Sequence, residues 1–414
     1  MKTYAMMTLG CKVNDYEATY IRQEMNKHFF EVSFKDKADI YLIFTCCVTN
    51  TAEAKSRKFI HDARRRNSDS YICTVGCLSQ IKHKDNTFDD VDLIIGSDKK
   101  EHIVEYILNN IKEDKVDDAI ETKFEKLFID SYSNKSRSFL KIQDGCNQFC
   151  SYCIIPYSRG RERSANHLDV IKQANQLSLT NKEIVLTGIH TGRYNDGEYN
   201  LSMLLSELIR IDNLKTIRLS SIEMTEITNE IINLIKESGK IAYHLHIPVQ
   251  SCSNNVLKRM NRPYTIEEYI NRIEYIRSVV PNISISTDLI VGFPGETDDD
   301  FLETVNNLKK IKFSFIHMFP YSRKEGTVAN SLDNHIDPKV KKERISIINQ
   351  LQKNITNEYI NDFIGRDVDI LIERFDDEYS YGYSKQYFYC KIKGKYEIGD
   401  IISIRLEKEN INEA

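Results

Sequence analysis

Short apolar runs alternate with amphipathic segments in the N-terminal part of the chain. The runs typical of buried strands are "TYAMMTLG" (3–10), "DIYLIFT" (39–45), "SYICTVG" (70–76) and "VDLIIG" (91–96). Residues 15–28 and 51–66 instead repeat apolar side chains at the spacing of one helix face. Strands that alternate with helices predict a parallel sheet covered on both faces.

A second alternation of strands and helices begins near residue 139. Its candidate strands are "FLKIQDG" (139–145), "EIVLTGI" (183–189), "TIRLSSIE" (216–223), "AYHLHIPV" (242–249), "SISTDLIVG" (284–292) and "FSFIHMFPY" (313–321). The segments between them carry apolar residues at helical spacing. Because a closed barrel of this type needs eight units, the six found here predict a partial (β/α)6 barrel with an open side.

The pattern changes to period two from about residue 361. The runs "DVDILIER" (367–374), "YSKQYFYCKIKG" (383–394) and "DIISIRLEK" (400–408) predict a small antiparallel β-barrel. The whole chain is therefore expected to be an α/β protein with an N-terminal parallel domain, a partial barrel and a small β-domain. The predicted divisions are 1–115, a mostly polar linker at 116–135, 136–360 and 361–414.

Composition narrows the class of protein. The 414 residues are 41% hydrophobic and 29% charged, which is typical of a soluble globular protein. No apolar run is long enough to span a membrane, and the N-terminus does not resemble a secretory signal, so we expect a cytoplasmic protein with no membrane partner. A net charge of −4 argues against a generally basic nucleic-acid-binding protein but allows local basic patches. Ten cysteines in such a chain favour metal binding or catalysis over a disulfide framework.

Three of these cysteines lie together in "DGCNQFCSYC" (144–153), as Cys146, Cys150 and Cys153. They follow the first predicted barrel strand, at the rim where barrel enzymes place their chemistry. Three close thiolates suit a [4Fe–4S] cluster that leaves one iron without a protein ligand. The alternative is a zinc site whose fourth ligand comes from elsewhere, such as His167.

A second set of three cysteines lies in the N-terminal domain. Cys11, Cys46 and Cys77 each come directly after a predicted strand. Because the carboxyl ends of parallel strands open on one edge of a sheet, we expect these thiols to converge on a second three-thiolate cluster site. Simple burial is the alternative for these three residues, and it is our interpretation of Cys47 and Cys73.

The sequence resembles the radical S-adenosylmethionine (SAM) methylthiotransferases over nearly its whole length. The resemblance is carried by "TLGCKVNDYE" (8–17), "FTCCVTN" (44–50), "VGCLSQ" (75–80), the C-x3-C-x2-C motif, "HLHIPVQSCSNNVLKRMNRPYT" (244–265), "STDLIVGFPGETDDDF" (286–301) and "HMFPYSRKEGT" (317–327). The C-terminal segment is similar to the family's TRAM domain. Within the family, "GCKVN" resembles the MtaB branch.

The resemblance implies an enzyme that adds a methylthio group to C2 of N6-threonylcarbamoyladenosine beside the transfer RNA anticodon. Two [4Fe–4S] clusters would have different roles. One would carry sulfur, which a first SAM methylates, and the other would cleave a second SAM to a radical that removes the C2 hydrogen. The implied partners are the anticodon loop of transfer RNA, a sulfur donor and an electron donor such as flavodoxin or ferredoxin, and a monomer is expected.

Strand ends of the barrel supply the candidate SAM contacts. Tyr152 precedes the last cysteine of its motif and would place a ring beside the open iron. Gly188 allows close backbone approach to a ligand, although a turn also explains it. The resemblance puts "SSIE" (220–223) near the ribose and "IVGFPGE" (290–296) near the adenine, although the latter also fits a turn before a capped helix. The contacts expected are Tyr152, Gly188, Ser220, Glu223, Gln250, Val291 and Gly292, with His190 and His246 as further cavity residues.

Local basic and aromatic segments are candidates for RNA binding. Arg159, Arg161 and Arg163 follow the cluster loop, and the predicted helix "KSRKFIHDARRR" (55–66) is strongly basic. Either stretch could instead be a solvated surface. The tyrosines of "EYSYGYSKQYFYC" (378–390) could stack on unpaired bases or fill the core of the small barrel.

Three alternatives stay open at this point. The same chemistry could act on isopentenyladenosine in transfer RNA or on a ribosomal-protein aspartate, and the chain could be a non-catalytic iron–sulfur RNA-binding module. The sequence also departs from the family pattern at Phe44, commonly Asn, and at Cys252, commonly Gly. Phe44 could alter hydrogen bonding around the N-terminal site, and we expect Cys252 to be a small buried residue.

Overall fold

The computed structural model describes residues 1–119, 123–132 and 135–412. Its N-terminal part is a parallel sheet of six strands in the order β2-β1-β3-β4-β5-β6. The strands are β1 (Thr3–Thr8), β2 (Phe30–Glu31), β3 (Ile40–Thr45), β4 (Tyr71–Gly76), β5 (Leu93–Ile95) and β6 (Asp114–Lys115). The helices are α1 (Lys12–Met25), α2 (Asn50–Arg66), α3 (Cys77–Lys82) and α4 (Ile103–Leu108). Apolar clusters cover both faces of this sheet, as the continuous apolar strands predict.

The central part is the predicted arc of parallel barrel strands. They are β7 (Arg137–Lys141), β10 (Glu183–Thr187), β11 (Thr216–Leu219), β12 (His244–His246), β13 (Ser284–Val291) and β14 (Phe315–Pro320). They pair as β7-β10-β11 and β12-β13-β14, and a parallel bridge between Ile217 and Ile241 links the two sheets. A short antiparallel pair, β8 (Gln143–Asp144) and β9 (Arg163–Ser164), lies at the carboxyl end of β7.

Helices cover the outside of this arc. They are α5 (Ile155–Arg159), α6 (His167–Ser178), α7 (Leu201–Leu208), α8 (Asn229–Ser238), α9 (Asn254–Arg259), α10 (Ile266–Val279), α11 (Asp298–Ile311) and α12 (Pro338–Asn361). The apolar sides of the strands pack against them in the largest core of the molecule. The opposite sides of the strands face the barrel interior, because successive strand residues point to opposite faces.

The C-terminal part is an antiparallel half-barrel in the order β17-β16-β15-β18. Its strands are β15 (Asp367–Phe375), β16 (Tyr379–Ser384), β17 (Tyr389–Lys393) and β18 (Ile401–Arg405). A bridge between Cys390 and Ile411 covers the free edge of β17. The α/β fold class predicted from the sequence, with its partial barrel and small antiparallel domain, is confirmed.

The segment predicted as a linker is partly packed. Leu127, Ile129 and Tyr132 belong to the main core, and the hydroxyl of Tyr16 on α1 donates to the Leu127 carbonyl. Residues 120–122 and 133–134 of this predicted linker lie outside the described residues. Within the described ranges, none of the helices has the length and apolar character needed to cross a membrane.

Candidate functional site

The three cysteines of the N-terminal sheet follow adjacent strands. Cys11 is the N-cap of α1 after β1, Cys46 comes directly after β3, and Cys77 opens α3 directly after β4. Since β1, β3 and β4 are parallel neighbours, their carboxyl ends share one edge of the sheet. The structure therefore brings these three thiols to the same edge, as the sequence predicts.

Two glycines let the cysteine loops approach one another. Gly10 has a φ of +106°, and a Cβ built on it would lie 3.4 Å from Cys46 Sγ. Gly76 has a φ of +107°, and its Cβ would lie 3.0 Å from the Thr45 carbonyl oxygen. Both positions combine a left-handed backbone with close neighbours, so only glycine fits without strain.

The thiols of this triad influence one another. Burial, together with the nearby Cys77 and Cys11, raises the pKa of Cys46 to about 11. A hydrogen bond from Cys47, together with the charge of Arg159, lowers the pKa of Cys77 to about 5 despite burial. Because the thiolate is the form that binds metal, the surroundings of Cys77 favour a ligand.

The second triad lies on the loop between β8 and α5. Gly145 opens this loop with a φ of +72°, and a Cβ there would collide with the Arg161 carbonyl. Ser151 anchors the loop, because its backbone N–H donates to the Met260 carbonyl at 3.0 Å and its hydroxyl donates to the Arg259 carbonyl at 2.7 Å. Cys146, Cys150 and Cys153 are half-buried free thiols on this fixed loop.

Hydrogen-bond donors surround the second triad. Arg262 Nη1 lies 3.5 Å from Cys150 Sγ, and the same guanidinium pairs with both oxygens of Glu223. Burial raises the pKa of Cys150, whereas Arg262 and a hydrogen bond from Tyr152 lower it. His190 Nδ1 lies 3.4 Å from Cys146 Sγ. Donors to cysteine sulfur are among the groups that tune iron–sulfur clusters, so the donor set fits such a cluster.

The spacing of the thiols and the position of His167 argue against zinc. Among the described residues, only Cys146, Glu162 and His190 bring potential ligand atoms all within 4.8 Å of one another. Each cysteine triad is wider than that, whereas thiolates on one zinc ion at about 2.3 Å would lie closer together. His167 bonds Asp196 at 2.6 Å and stacks on Tyr199, so it is engaged elsewhere.

A buried guanidinium that follows the second triad contacts the first. Arg159 ends α5, which begins two residues after Cys153, and it is fully buried. Its Nε lies 3.3 Å from Cys77 Sγ, and its Nη atoms donate to Glu17 at 2.7 Å and to Asn14 at 2.5 Å. The segment that follows the second triad thus makes direct contact with a thiol of the first.

Further buried charges surround Arg159. Glu17 also accepts from Lys141 Nζ at 2.7 Å, and Lys141 pairs with Asp144 at 2.7 Å. Burial alone would raise the pKa of Glu17, but the charges of Arg159, Lys100 and Lys141 outweigh it and lower the pKa to about 2. The N-terminal sheet and the first barrel strand therefore share one ion network.

The predicted SAM contacts on the first barrel sheet lie at its carboxyl end. Gly188 follows β10 and packs on Gln143, and a Cβ there would lie 3.0 Å from three atoms of that residue. Ser220 follows β11 and its hydroxyl bonds that of Thr191 at 2.9 Å. Glu223 is held by Arg262 beside Cys150. The contact with Gln143 alone accounts for a glycine at position 188, and a role in ligand binding stays a prediction.

The remaining predicted contacts lie at the end of the second barrel sheet. Gln250 has a φ of +65° and bridges Leu289 of β13. Val291 ends β13 and is buried, while the Gly292 N–H donates to the Glu296 carboxylate at 3.1 Å.

The other interpretation of the "GFPGE" segment (292–296), a turn before a capped helix, is also supported. Thr297 and Asp300 form a capping box at the start of α11. Tyr152 packs among Val256, Met260 and Phe293, next to this turn.

One predicted group of RNA contacts is wrong in part. Arg159 cannot reach a phosphate because it is fully buried in the ion network. Arg163 donates to the Arg159 carbonyl at 2.6 Å and to Asp144 at 3.2 Å. Arg161 alone is exposed, with its guanidinium 4.7 Å from the Phe149 ring centre.

Much of the basic helix α2 is engaged within the protein. Arg57 pairs with Glu53, Arg65 pairs with Asp62, and Arg64 donates to the carbonyls of residues 68, 70 and 90. The structure favours a structural and solvated role for these arginines.

The departures from the family pattern are core residues. Phe44 is fully buried in the core of the N-terminal sheet, and Cys252 is fully buried in the main core. Cys73 is likewise buried, as expected. Cys47 is buried too, but its hydrogen bond to Cys77 gives it an influence on the first triad.

Arg262, Asn14 and Glu17 are site residues that the sequence reasoning missed. Arg262 lies in the quoted segment 244–265, and Asn14 and Glu17 lie in the quoted segment 8–17. Their proximity to cysteine motifs was the available signal, but their partners are distant in sequence.

Comparisons with known proteins identify relatives over almost the whole chain. Residues 140–308 match the radical SAM superfamily, and residues 3–96 match the uncharacterized protein family UPF0004. The chain is 40% identical to the threonylcarbamoyladenosine tRNA methylthiotransferase MtaB of Bacillus subtilis (strain 168), covering 99% of this chain and 94% of that protein. It is 33% identical to the tRNA-2-methylthio-N(6)-dimethylallyladenosine synthase of Thermodesulfovibrio yellowstonii, covering 97% and 95%.

A solved structure has a similar fold. The radical S-adenosylmethionine methyltransferase TsrM of Kitasatospora setae aligns with a TM-score of 0.55 and 13% identity, covering 77% of this chain and 73% of TsrM. At this identity the likeness concerns the fold alone.

Proposed function

The chain belongs to the methylthiotransferase family of radical SAM enzymes, and we propose that it adds a methylthio group to C2 of N6-threonylcarbamoyladenosine beside the anticodon of transfer RNA. The relatives named for this nucleoside support the choice of substrate, with identities of 40%, 34% and 36% over almost the whole chain. The dimethylallyladenosine synthases, at 30–34%, are less similar than the Bacillus subtilis enzyme at 40%, so that alternative is not favoured.

The observation that carries the proposal is that a residue following the second cysteine triad contacts a thiol of the first. Arg159 follows Cys153 by less than two helical turns and touches Cys77 across the interface. An enzyme that joins sulfur to a carbon activated at a second centre needs the two centres close together. The domain division 1–115, 136–360 and 361–414 is part of this proposal, with one triad in each of the first two domains.

The family uses SAM and a [4Fe–4S] cluster, which we assign to Cys146, Cys150 and Cys153. A second cluster would be held by Cys11, Cys46 and Cys77. When bound, these groups would supply one-electron chemistry and sulfur. The one-electron chemistry is needed because no side-chain base can remove the hydrogen of an aromatic C–H bond.

The protein's own residues would position the reactants. SAM would be held at the carboxyl edge of the barrel by Tyr152, Gly188, Ser220, Glu223, Gln250, Val291 and Gly292. The barrel interior would admit the target base, unstacked from the anticodon loop, and exclude bulk water. A sulfur donor and an electron donor such as flavodoxin or ferredoxin are the further partners proposed.

Nucleoside mass spectrometry of transfer RNA tests the proposal. Cells lacking the gene should lose 2-methylthio-N6-threonylcarbamoyladenosine and keep N6-threonylcarbamoyladenosine. The wild-type gene should restore the modification, whereas Cys146→Ala and Cys11→Ala should not. A change in methylthio-dimethylallyladenosine instead would identify the alternative substrate, and no change in transfer RNA would contradict the proposal.

Iron analysis tests the second cluster separately. We expect about eight irons in the anaerobically reconstituted protein and about four in a Cys146/Cys150/Cys153→Ala variant. Loss of all iron in that variant would show that Cys11, Cys46 and Cys77 hold no cluster.

A further inference from the structure

A cavity of about 280 Å³ lies among the segments that follow the cysteines of both triads. Three of its lining residues, Cys47, Leu78 and Ile154, each come directly after a cysteine of one of the triads. The same three residues belong to one buried cluster that also contains Cys77. The inner wall of the cavity is therefore built from the immediate chain neighbours of the proposed cluster ligands.

The rest of the wall comes from α2, from α3 and from the segment after β14. These lining residues are Asn50, Glu53, Arg57, Ile81, Lys82, Arg323, Lys324 and Glu325, and we call the whole space the side cavity. The segment after β14 is held against the second cysteine loop, because the Ala329 N–H donates to the Ser151 carbonyl at 2.7 Å. Lys324 pairs with Glu53 at 2.8 Å across the cavity wall. The side cavity thus lies where the N-terminal domain meets the barrel.

The side cavity carries an excess of positive charge. Four cations line it but only two carboxylates. Glu53 is shared between Lys324 and Arg57, and the buried Nε of Arg57 has no hydrogen-bond partner among the described residues. Arg323 donates to His335 Nε2 at 3.2 Å and has no carboxylate partner in the described part of the chain. A cavity lined in this way favours a small anion.

A single thiol separates the side cavity from the first triad. Cys47 is 3% exposed, lines the cavity and is hydrogen-bonded to Cys77. An anion that passes Cys47 therefore reaches a thiol of the first triad directly.

The proposed function creates a need for such a path. Every methylthio group delivered to transfer RNA removes one sulfur atom from the first triad's site, so sulfur has to be supplied again. SAM and the target base would occupy the open end of the barrel, and the side cavity offers a separate route.

Building on the proposed function, we propose that the side cavity is the entrance through which hydrosulfide reaches the site at Cys11, Cys46 and Cys77. Hydrosulfide is small and anionic, and its soft sulfur binds iron as a cysteine thiolate does. The cations of the wall attract it, and Cys47 forms the inner end of the path. Entry is a binding step in which no covalent bond of the protein forms or breaks.

Uptake of radioactive sulfide by the reconstituted full-length protein tests this inference without SAM, reductant or RNA. The amount retained after desalting would be followed over time, and the amount retained by Cys11→Ala would be subtracted as background. We expect Arg57→Gln to slow uptake about tenfold and to leave the final amount unchanged, because this cation attracts the anion along the path and does not hold it at the end. Arg57→Lys should keep most of the rate. Arg65→Gln removes the same charge from an exposed position of α2 outside the side cavity, and it should change neither rate nor amount.

Cys47 allows the path to be closed chemically. The anionic reagent 2-sulfonatoethyl methanethiosulfonate forms a mixed disulfide with a free thiol and releases methanesulfinate. In the reconstituted protein we expect it to modify Cys47 but not Cys73 or Cys252, which are fully buried and do not line the side cavity. The modified protein should take up sulfide much more slowly, whereas the same treatment of Cys47→Ala should have no effect. Peptide mass spectrometry identifies the modified thiol, and iron analysis of every sample excludes cluster loss as the cause.

The outcomes separate the two proposals. Unchanged uptake in Arg57→Gln, or in the protein modified at Cys47, would overturn the entrance. Absence of modification at Cys47 would also overturn it, since this thiol would then have no access from the side cavity. A lower final amount in Arg57→Gln would make Arg57 part of the binding site and would contradict its role on the path. If the wild type takes up no more sulfide than Cys11→Ala, the sulfur-carrying site of the proposed function is contradicted instead.

Discussion

Gly145 connects β8 to the first cysteine of the barrel loop and is a residue that no other amino acid can replace without strain. Its φ is +72°, and an added Cβ would collide with the Arg161 carbonyl. We expect Gly145→Ala to displace Cys146 and to reduce both iron content and SAM cleavage to near the level of Cys146→Ala. Iron analysis and a SAM cleavage assay measure these losses.

Gly197 provides a matched control for this substitution. It also has a positive φ, +94°, but an added Cβ would meet nothing within 4 Å. Gly197→Ala should therefore carry only the backbone cost of roughly 1 kcal/mol and should leave iron content and activity intact. If the two variants lose iron to the same extent, the collision at Gly145 is not the cause.

Arg159 shows the limit of sequence reasoning at the scale of the residue. The cysteine spacings are local or follow strand ends, so both triads could be predicted. Arg159 was expected to contact phosphate because it lies in a basic run, yet its partners Asn14, Glu17 and Cys77 come from the other domain. A run of basic residues shows where the cations lie in the sequence, but it does not show which residues from distant parts of the chain surround and pair with them.

At the scale of the element, the barrel strands could be predicted because their pattern of apolar residues reflects which side of each strand is buried. The partial barrel needs one apolar side against the helices, and all its strands overlap predicted runs. In the C-terminal strands, the sequence left two roles for the tyrosines. The structure places Tyr379, Tyr381, Tyr383 and Tyr389 outside the C-terminal core, which consists of residues such as Ile370, Ile372 and Cys390. Period two alone could not decide which face of β16 and β17 is buried.

The tyrosine face of β16 and β17 leads to a prediction about RNA binding. The Arg374 guanidinium lies 3.8 Å from the Tyr381 ring centre and donates to the Tyr389 hydroxyl at 3.0 Å. This arrangement combines an exposed guanidinium with half-buried tyrosine rings outside the C-terminal core. We expect Tyr381→Ala to weaken binding of an anticodon stem-loop RNA by about 1–3 kcal/mol, the usual contribution of one stacked base. Anisotropy titrations at fixed salt would measure this change.

Tyr275 on α10 is a suitable control for Tyr381. It is also a surface tyrosine and lies under an arginine, Arg272, at 5.2 Å, but it is outside the C-terminal domain. Tyr275→Ala should not change RNA affinity. An unchanged affinity for Tyr381→Ala would remove this face from the RNA-binding surface.

At the scale of the whole molecule, buried ion pairs connect the N-terminal domain to the barrel near the two cysteine triads. Glu17 on α1 receives hydrogen bonds from Lys141 on β7 and from Arg159 on α5, both at 2.7 Å. All three side chains are almost fully buried. The sequence could not predict this relative placement, because each domain's pattern is satisfied by its own core and these charged partners are distant in sequence.

This network should make the N-terminal domain and the barrel unfold together. Glu17→Gln would leave Arg159 and Lys141 short of one buried anion, and breaking such a pair costs about 3–5 kcal/mol. We expect calorimetry to show a lower first unfolding temperature and a separate transition for the N-terminal domain. Asp15→Asn is the control, because Asp15 lies on the same helix and pairs with Lys135 at 2.7 Å, but in a more exposed position. Exposed pairs contribute about 0–1 kcal/mol, so this control should unfold like the wild type.

The pH dependence gives an independent check on Glu17. Its folded-state pKa is lowered to about 2, whereas an unfolded chain would have an ordinary value of about 4.3. A lowered carboxyl pKa stabilises the folded state fully above the unfolded value, and this stabilisation is lost as pH falls through the folded value. The difference in unfolding temperature between wild type and Glu17→Gln should therefore be constant from pH 7 down to about 5 and shrink below about 4. A difference that does not shrink in acid would mean that Glu17 stabilises the interface through packing and neutral hydrogen bonds, since Gln preserves its shape but not its charge.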